Sequence, residues 1–228
     1  MTVLHLADET EATDLAAFLS RLLRYDRGAA VRLQAAGTAL AVFGRPPSFE
    51  VLAVRAARLA KPYENGLDVT LDTTVSAGEL LESVDERAAT AAVPAAVTGP
   101  PWAGVLPPRG DWRPEPGLPA PEALRSTVAR SVAEFRSRTE ELTPERRTRG
   151  ELDRIGREIW SREVGQTPLP VRVVHAAQSL GFLRPGTPAE HTALFSSGAW
   201  LRLRTPYGSV AVRRAGLGAL GTLGVSVR

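Results

Sequence analysis

The segment Trp200–Arg213 has the pattern of a β-hairpin, and this hairpin constrains the fold more than any other feature of the sequence. Pairing its two halves places Leu203 opposite Val210. Two residues along the same face, Leu201 lies opposite Val212. Because successive side chains of a strand point to opposite faces, these residues predict one apolar face that must be buried.

The opposite face of this hairpin is cationic. It carries Arg202, Arg204 and Arg213 together with Trp200, and Arg214 follows directly. A guanidinium group donates several hydrogen bonds from one plane, which suits carboxylate and phosphate oxygens. We therefore predict that this end of the chain contacts an anionic partner. The alternative is that these arginines form a solvated face or pair with acidic residues of the first half.

The charge balance changes sign along the chain. Residues 1–120 hold 11 basic and 15 acidic side chains, whereas residues 121–228 hold 17 arginines and 10 acidic side chains. Such an asymmetry indicates either an anionic partner for the second half or contact between the halves. In the second case the hairpin arginines would pair with Asp68 and Asp72, which alternate along a strand expected at residues 67–74.

Residues 1–97 predict an acidic α+β domain, an antiparallel meander with helices on one face. Apolar residues recur at helical spacing between Asp14 and Asp26. Apolar and alternating runs predict strands at residues 30–36, 39–43, 49–59 and 67–74. Ser76 and Glu79 match a capping box, which marks the start of a second helix.

Residues 98–121 contain eight prolines and two tryptophans, Trp102 and Trp112. No regular secondary structure is expected at this proline density. We predict an extended strap whose indole rings dock on a domain, because a solvated linker rarely carries two tryptophans. The alternative is an exposed polyproline ligand. Both tryptophans are candidate anchors for a protein partner.

Residues 122–214 predict a basic helical domain that ends in the hairpin, and residues 215–228 a glycine-rich tail. Helices are expected to begin near Pro121, Thr143 and Thr167, with a short one from Thr187 to Phe195. Helices followed by a β-hairpin resemble winged-helix proteins in element order. The resemblance implies that the hairpin is a wing lying along DNA phosphates.

Further candidate contacts to an anionic partner precede the hairpin. Arg172 lies on the helix that a winged-helix protein would insert into the groove. Arg146, Arg147 and Arg149 form a cluster at the expected start of another helix. The positive end of a helix dipole disfavours cations, so the alternative is a solvated cluster that pairs with neighbouring acidic side chains.

Two stretches, Ala39–Leu59 and Trp200–Arg214, resemble uncharacterised actinobacterial proteins. The arginine bias of the chain supports the likeness, because Lys61 is the single lysine beside 27 arginines. The resemblance implies no activity, cofactor or site residue.

Catalytic patterns are missing from the sequence. Its three histidines, His5, His175 and His191, lack metal-ligand spacing, and no Gly-x-Ser-x-Gly elbow or Walker loop occurs. The glycine-rich tail is not expected to continue into a helix whose dipole could bind phosphate. The absence of cysteine excludes disulfides, thiolate zinc sites and cysteine nucleophiles. We therefore predict no enzyme activity, no cofactor, no metal and no small-molecule substrate.

Neither a signal peptide nor a run of about 18 apolar residues is recognisable in the sequence. We expect a cytoplasmic protein without membrane contact. Its expected role is that of a non-enzymatic regulatory or binding protein whose basic end engages an anionic partner, with nucleic acid as the first choice. The alternative is a protein–protein adaptor or scaffold whose arginines form structural ion pairs.

Overall fold

The computed structural model of the chain describes residues 2–60 and 71–214. The strands in these residues are β1 (Val3–His5), β2 (Ala30–Ala36), β3 (Ala39–Gly44), β4 (Leu52–Arg58), β5 (Leu71–Ser76), β6 (Val84–Asp85), β7 (Thr90–Ala92), β8 (Arg113–Glu115), β9 (Ala193–Ser197), β10 (Trp200–Thr205) and β11 (Gly208–Arg213). The tail predicted at 215–228 and the first part of the strand predicted at 67–74 lie outside the described residues.

Five α-helices lie in the described residues. They are α1 (Glu9–Tyr25), α2 (Ala77–Glu82), α3 (Pro121–Glu140), α4 (Arg149–Trp160) and α5 (Val171–Ser179). Short 3-10 helices lie at Pro47–Phe49, Pro101–Gly104, Pro144–Arg146 and Ala189–His191. None of the helices in the described residues combines the length and the apolarity that crossing a membrane requires.

One antiparallel sheet of eight strands joins the two halves of the chain. Its strand order is β5-β2-β3-β4-β11-β10-β9-β8, and a second sheet of three short strands has the order β1-β7-β6. The joint between the halves is the pairing of β4 with β11, in which Val54 lies opposite Ser209 and Ala53 opposite Val210. The halves therefore share backbone hydrogen bonds as well as side-chain contacts.

The predicted fold class, two α+β units with a winged-helix-like C-terminal domain, is wrong. The hairpin of β10 and β11 has the predicted register, with Leu203 opposite Val210 and Leu201 opposite Val212. It is not peripheral, however, because β11 pairs with β4 and β10 pairs with β9. A lone hairpin exposes two edges of unpaired backbone groups. Here neighbouring strands satisfy both edges, so the hairpin cannot project as a wing.

Two further strands replace elements that the sequence analysis expected to be helical or irregular. The helix predicted from Thr187 to Phe195 is one 3-10 turn followed by β9, which fills the space between β10 and β8. β8 forms within the proline-rich segment. Pro114 lacks an N–H donor, but β8 is the edge strand of the sheet, where a missing donor is tolerated.

The face of the large sheet that carries Leu33, Val42, Leu203 and Val210, here called the inner face, is covered by helices. These four side chains are fully buried and belong to one core. Both halves contribute helical residues to this core, namely Leu15, Phe18, Leu19 and Leu22 from α1, and Val173, Val174, Ala176 and Ala177 from α5. Full burial of one large apolar side chain contributes about 1.5–3 kcal/mol, so this shared core stabilises both halves together.

An ionic cluster also joins the halves on the inner face. Arg55 of β4 is 6% exposed. Its Nη2 donates to carboxylate oxygens of Glu11 at 2.8 Å and Asp14 at 3.4 Å, both on α1. Its Nη1 donates to the carbonyl oxygen of Tyr207 at 3.2 Å. Arg184 donates to the other oxygen of Asp14 at 2.9 Å, so this carboxylate is shared by two arginines from different halves.

The opposite face of the sheet, the outer face, is partly covered by the segment predicted as a strap. Trp102 and Leu106 pack against the buried side chains of Phe43, Leu52 and Val54. Two polar contacts hold the segment in place: Arg32 donates to the carbonyl of Ala103, and Ser197 donates to that of Gly110. The outer face therefore has a covered centre and an open side over β9, β10 and β11.

Candidate anion-binding face of the sheet

The hairpin arginines lie on the outer face. Leu201 and Leu203 of β10 are buried on the inner face, so the alternate residues Arg202 and Arg204 point to the other side. Arg213 lies opposite Trp200 in the β10–β11 pair and is exposed like Arg204. The structure thus brings together three of the predicted cations and the predicted tryptophan.

Each of these guanidinium groups faces an aromatic ring. The distance from the guanidinium carbon to the ring centroid is 4.7 Å for Arg204 over Phe195 and 5.8 Å for Arg213 over Trp200. Arg202 lies 5.6 Å from a ring centroid of Trp112 in the strap. These separations fall in the range of cation–π contacts, each worth about 0.5–1 kcal/mol at exposed sites. Rings and positive charges therefore alternate over β9, β10 and β11.

No acidic side chain in the described residues forms a salt bridge with Arg202, Arg204 or Arg213. Asp72, one of the partners considered from the sequence, binds Arg32 instead, with its two oxygens 2.7 and 2.9 Å from Nε and Nη2. These hydrogen bonds lower the pKa of Asp72. The other considered partner, Asp68, lies outside the described residues.

Arg202 is the most buried of the three cations. Its Nε donates to the hydroxyl oxygen of Ser209 at 3.0 Å. Burial lowers the pKa of Arg202, and the positive charge of Arg204 adds to this effect. A guanidinium group stays charged through a shift of this kind. Arg202 is therefore a partly desolvated positive charge whose hydrogen-bond partner in the described residues is neutral.

Arg214 does not join this group. It follows β11 and points to the side opposite Arg213. Its Nη2 donates to Glu115 of β8 at 2.8 Å. Hydrogen bonds from Ser196 and Arg214 lower the pKa of this carboxyl group. Arg214 therefore stabilises the edge of the sheet.

The other candidate arginines lie in the helical layer. α4 packs on α3 and α5, and α5 packs on the inner face through β11. Arg172 is half-buried on α5, and its Nε has no hydrogen-bond partner among the described residues. The remaining three, Arg146, Arg147 and Arg149, are exposed at or before the start of α4. Because the sheet separates them from Arg204, these arginines do not extend the outer-face group.

Both candidate tryptophans for a protein partner contact the chain itself. Trp102 is half-buried against the apolar centre of the outer face. Trp112 is half-buried, and its Nε1 donates to the carbonyl oxygen of Pro108 at 3.0 Å. Trp102 thus holds the strap on the sheet, whereas Trp112 bonds within the strap and faces Arg202 of β10.

The sequence did not indicate that three further residues, Phe195, Arg32 and Arg109, belong to this face. Phe195 was assigned to the end of a helix, which hid its alternation with Arg204. Arg32 and Arg109 come from the acidic first half and the strap, where no basic cluster drew attention to them. Residues 193–197 end in two serines before a glycine, which is typical of a strand that enters a turn. Assigning these residues to a strand would have placed Phe195 beside the arginines of the hairpin.

Aromatic rings surround His175, the histidine of the helical layer. His175 of α5 stacks on Trp160, with ring centroids 4.8 Å apart, and meets Phe49 edge-on at 5.1 Å. Burial lowers the pKa of His175. Within the described residues, no group of three or more His, Asp and Glu side chains is arranged to hold a metal ion.

Two family models divide the chain at the strap. Residues 1–104 match a domain of unknown function, DUF8010, and residues 107–217 match another, DUF8185. No curated protein matches the chain. Neither match bears on the resemblance to winged-helix or actinobacterial proteins. The β4–β11 pairing and the shared core cross the boundary between the matches, so the two matched regions share the eight-stranded sheet.

Proposed function

We propose that this protein is a non-enzymatic binding protein whose outer sheet face engages single-stranded nucleic acid. The observation that carries the proposal is the set of cations without acidic partners among the described residues, interleaved with aromatic rings over β9, β10 and β11. Arg204 and Arg213 supply exposed charge for phosphates. Phe195 and Trp200 supply half-buried rings on which bases can stack.

The shape of this face favours a single strand over a duplex. Reading a major groove requires a protruding helix or ribbon, whereas both edges of this hairpin are paired within a sheet. Flat sheets that bind single-stranded RNA or DNA use aromatic side chains for stacking and nearby cations for the backbone. Base stacking contributes about 1–3 kcal/mol per base and tolerates any sequence.

Fluorescence anisotropy with a labelled oligothymidylate across a potassium chloride series tests the proposal. The double variant Arg204→Gln/Arg213→Gln removes two phosphate contacts. We expect about a tenfold or greater loss of affinity at low salt and a shallower dependence of log K on log salt, by roughly 0.7 per lost contact. The variant Trp200→Ala should lose affinity with an unchanged salt slope, because stacking releases no counterions.

A matched control is Arg146→Gln/Arg149→Gln, which removes the same charge from the helical layer. Its affinity should stay within about threefold of the wild type, because long-range charge effects are screened by salt. Wild-type binding that is absent in the lowest-salt buffer, or equal losses for the two double variants, would contradict the proposal. Specific capture of a protein partner that competes with the oligonucleotide would favour the adaptor alternative.

A further inference from the structure

A cleft lies between the outer face of the sheet and the strap, beside the exposed arginines. Its volume is about 470 Å³, within the range of small-molecule sites, roughly 300–1,000 Å³. The floor is built from the side chains of Ala41, Phe43, Val54 and Ala56, and the roof from residues 104 and 106–109 of the strap. Two of the floor residues are alanines, so space remains above the sheet next to the ring of Phe43.

Three arginines line this cleft, and they differ in how their charge is compensated. Arg32 is neutralised by the two hydrogen bonds to Asp72, and it also donates to the carbonyl of Ala103. Arg202 uses its Nε for Ser209, and its terminal nitrogens make no hydrogen bond to the described residues. Arg109 is exposed on the roof. The cleft thus combines an apolar floor with two arginines, Arg202 and Arg109, that form no salt bridge among the described residues. The positive charge of Arg109 contributes to the lowered pKa of Asp72, so Arg202 is the less compensated of the two.

The position of Arg202 is costly without a counter-charge. Partial burial of a cation loses hydration energy, which an anion in contact restores together with charge-assisted hydrogen bonds. The strap is already held in place by Trp102 and by the Ser197–Gly110 hydrogen bond. A ligand therefore meets a preformed roof, which reduces the entropy lost on binding.

We infer that this cleft binds a small organic anion, with an apolar body over Ala41 and Ala56 and a carboxylate or phosphate held by Arg202 and Arg109. The cleft is lined by the strap and by β2, β3, β4 and β10, whereas the proposed nucleic-acid surface is centred on Arg204 and Arg213. The two sites are neighbours, and either can exist without the other.

Titration of the full chain with 1-anilinonaphthalene-8-sulfonate, a fluorescent aryl anion, tests the inference. Its uncharged analogue N-phenyl-1-naphthylamine has the same rings without the anionic group and should bind at least tenfold more weakly. Benzoate and adenosine monophosphate serve as competitors, because they distinguish a carboxylate from a phosphate ligand. Displacement by at least one of them is expected.

Three variants test whether the probe binds in the cleft. Arg202→Gln and Arg109→Gln remove the two charges assigned to the anion, and Ala56→Phe fills the space from an exposed strand position. We expect each to weaken binding of the anionic probe at least fivefold, with thermal midpoint and circular dichroism close to wild type. Arg113→Gln is the matched control, since it removes an exposed strap arginine that does not line the cleft.

The outcomes separate this site from the proposed function. Arg204→Gln/Arg213→Gln should retain binding of the anionic probe, and Ala56→Phe should retain binding of oligothymidylate. Equal binding of the charged and uncharged probes, wild-type affinity of both Ala56→Phe and Arg202→Gln, or displacement by neither competitor would each overturn the inference.

Discussion

The two faces of the central sheet use arginine in opposite ways. On the inner face Arg55 is 6% exposed and bound to Glu11 and Asp14, which come from the helix that covers it. On the outer face Arg202 is half-buried, yet its hydrogen bond in the described residues goes to a serine hydroxyl. Arg204 faces a phenylalanine ring. The inner-face Arg55 joins parts of the chain, whereas the outer-face arginines of β10 and β11 form no salt bridge in the described residues. Arg32, also on the outer face, is paired with Asp72 and belongs with the structural arginines.

The presence or absence of an acidic partner distinguishes structural from functional arginines, whereas the number of arginines on a face does not. A buried ion pair is sensitive to loss of one partner, because the other partner remains buried and uncompensated. A cation without an acidic partner has no such dependence and contributes little to stability. Substitutions on the inner face should therefore change the free energy of unfolding, and substitutions on the outer face should change binding.

The largest expected effect is that of Arg55→Leu. It removes the buried partner of two α1 carboxylates, although Glu11 keeps Arg58 and Asp14 keeps Arg184. We therefore expect the free energy of unfolding to fall by about 3 kcal/mol, the low end of the range for a broken buried pair. Urea denaturation followed by circular dichroism measures it. Arg58→Leu is the matched control on the same strand, because Arg58 binds the same Glu11 but its side chain is 71% exposed. Equal losses for the two variants would contradict the distinction between buried and exposed pairs.

The next effect compares neighbouring residues of β10. Leu203 is 0% exposed in the shared core, and Leu203→Ala should cost about 2–5 kcal/mol of unfolding free energy through lost burial and a cavity. Arg204→Ala, one residue along the strand, should change it by about 0.5 kcal/mol or less, as is usual for surface positions. Similar urea midpoints for the two variants would show that the hairpin has no single buried face.

The variant Arg202→Leu is compared with Arg55→Leu by its effect on the free energy of unfolding. Removing a partly desolvated charge that lacks an acidic partner in the described residues should leave the free energy of unfolding unchanged or raise it by about 1 kcal/mol. The same variant should weaken binding of an aryl anion. A loss of stability as large as that of Arg55→Leu, measured in the same urea series, would place Arg202 among the structural arginines.

The smallest effect concerns the paired arginines of the helical layer. Hydrogen bonds from Arg138 to Glu158 lower the pKa of Glu158 to about 2. A carboxyl group with a lowered folded-state pKa stabilises the fold above its unfolded-state pKa, near 4.5, and this contribution is lost as the pH falls towards 2. The thermal midpoint of the wild type should exceed that of Glu158→Gln at pH 5, and the difference should shrink towards pH 2. A difference that does not vary with pH would contradict the assignment.

Local elements followed from the sequence where side-chain spacing and capping determine them. β2 spans the predicted residues 30–36, and Ser76 caps α2 by accepting a hydrogen bond from the Glu79 amide at 3.3 Å. The hairpin register followed from apolar pairing, because a shift of one residue would turn Leu203 to the wrong face.

The strand order of the sheet could not be predicted, because the residue pattern of one strand does not show which other strand pairs with its edge. A usable signal in the sequence is a run of consecutive apolar residues, since a strand covered on both faces lacks alternation. Leu52, Ala53 and Val54 of β4 have this pattern, and so does the run 210–212 in β11. For the candidate site, the alternation of side chains along β10 correctly predicted that Arg202 and Arg204 share one face. Arg32 and Arg109 could not be predicted, because the strand order and the folded-back strap bring them to this face.

The most direct test of the contrast between the two faces is to record the arginine side-chain Nε–Hε resonances of the ¹⁵N-labelled protein during a titration with oligothymidylate. We expect the signals of Arg202, Arg204 and Arg213 to shift in a salt-dependent manner, while those of Arg55 and Arg184 stay in place. Shifts confined to other arginines, or no shifts at saturating oligonucleotide and low salt, would contradict this contrast.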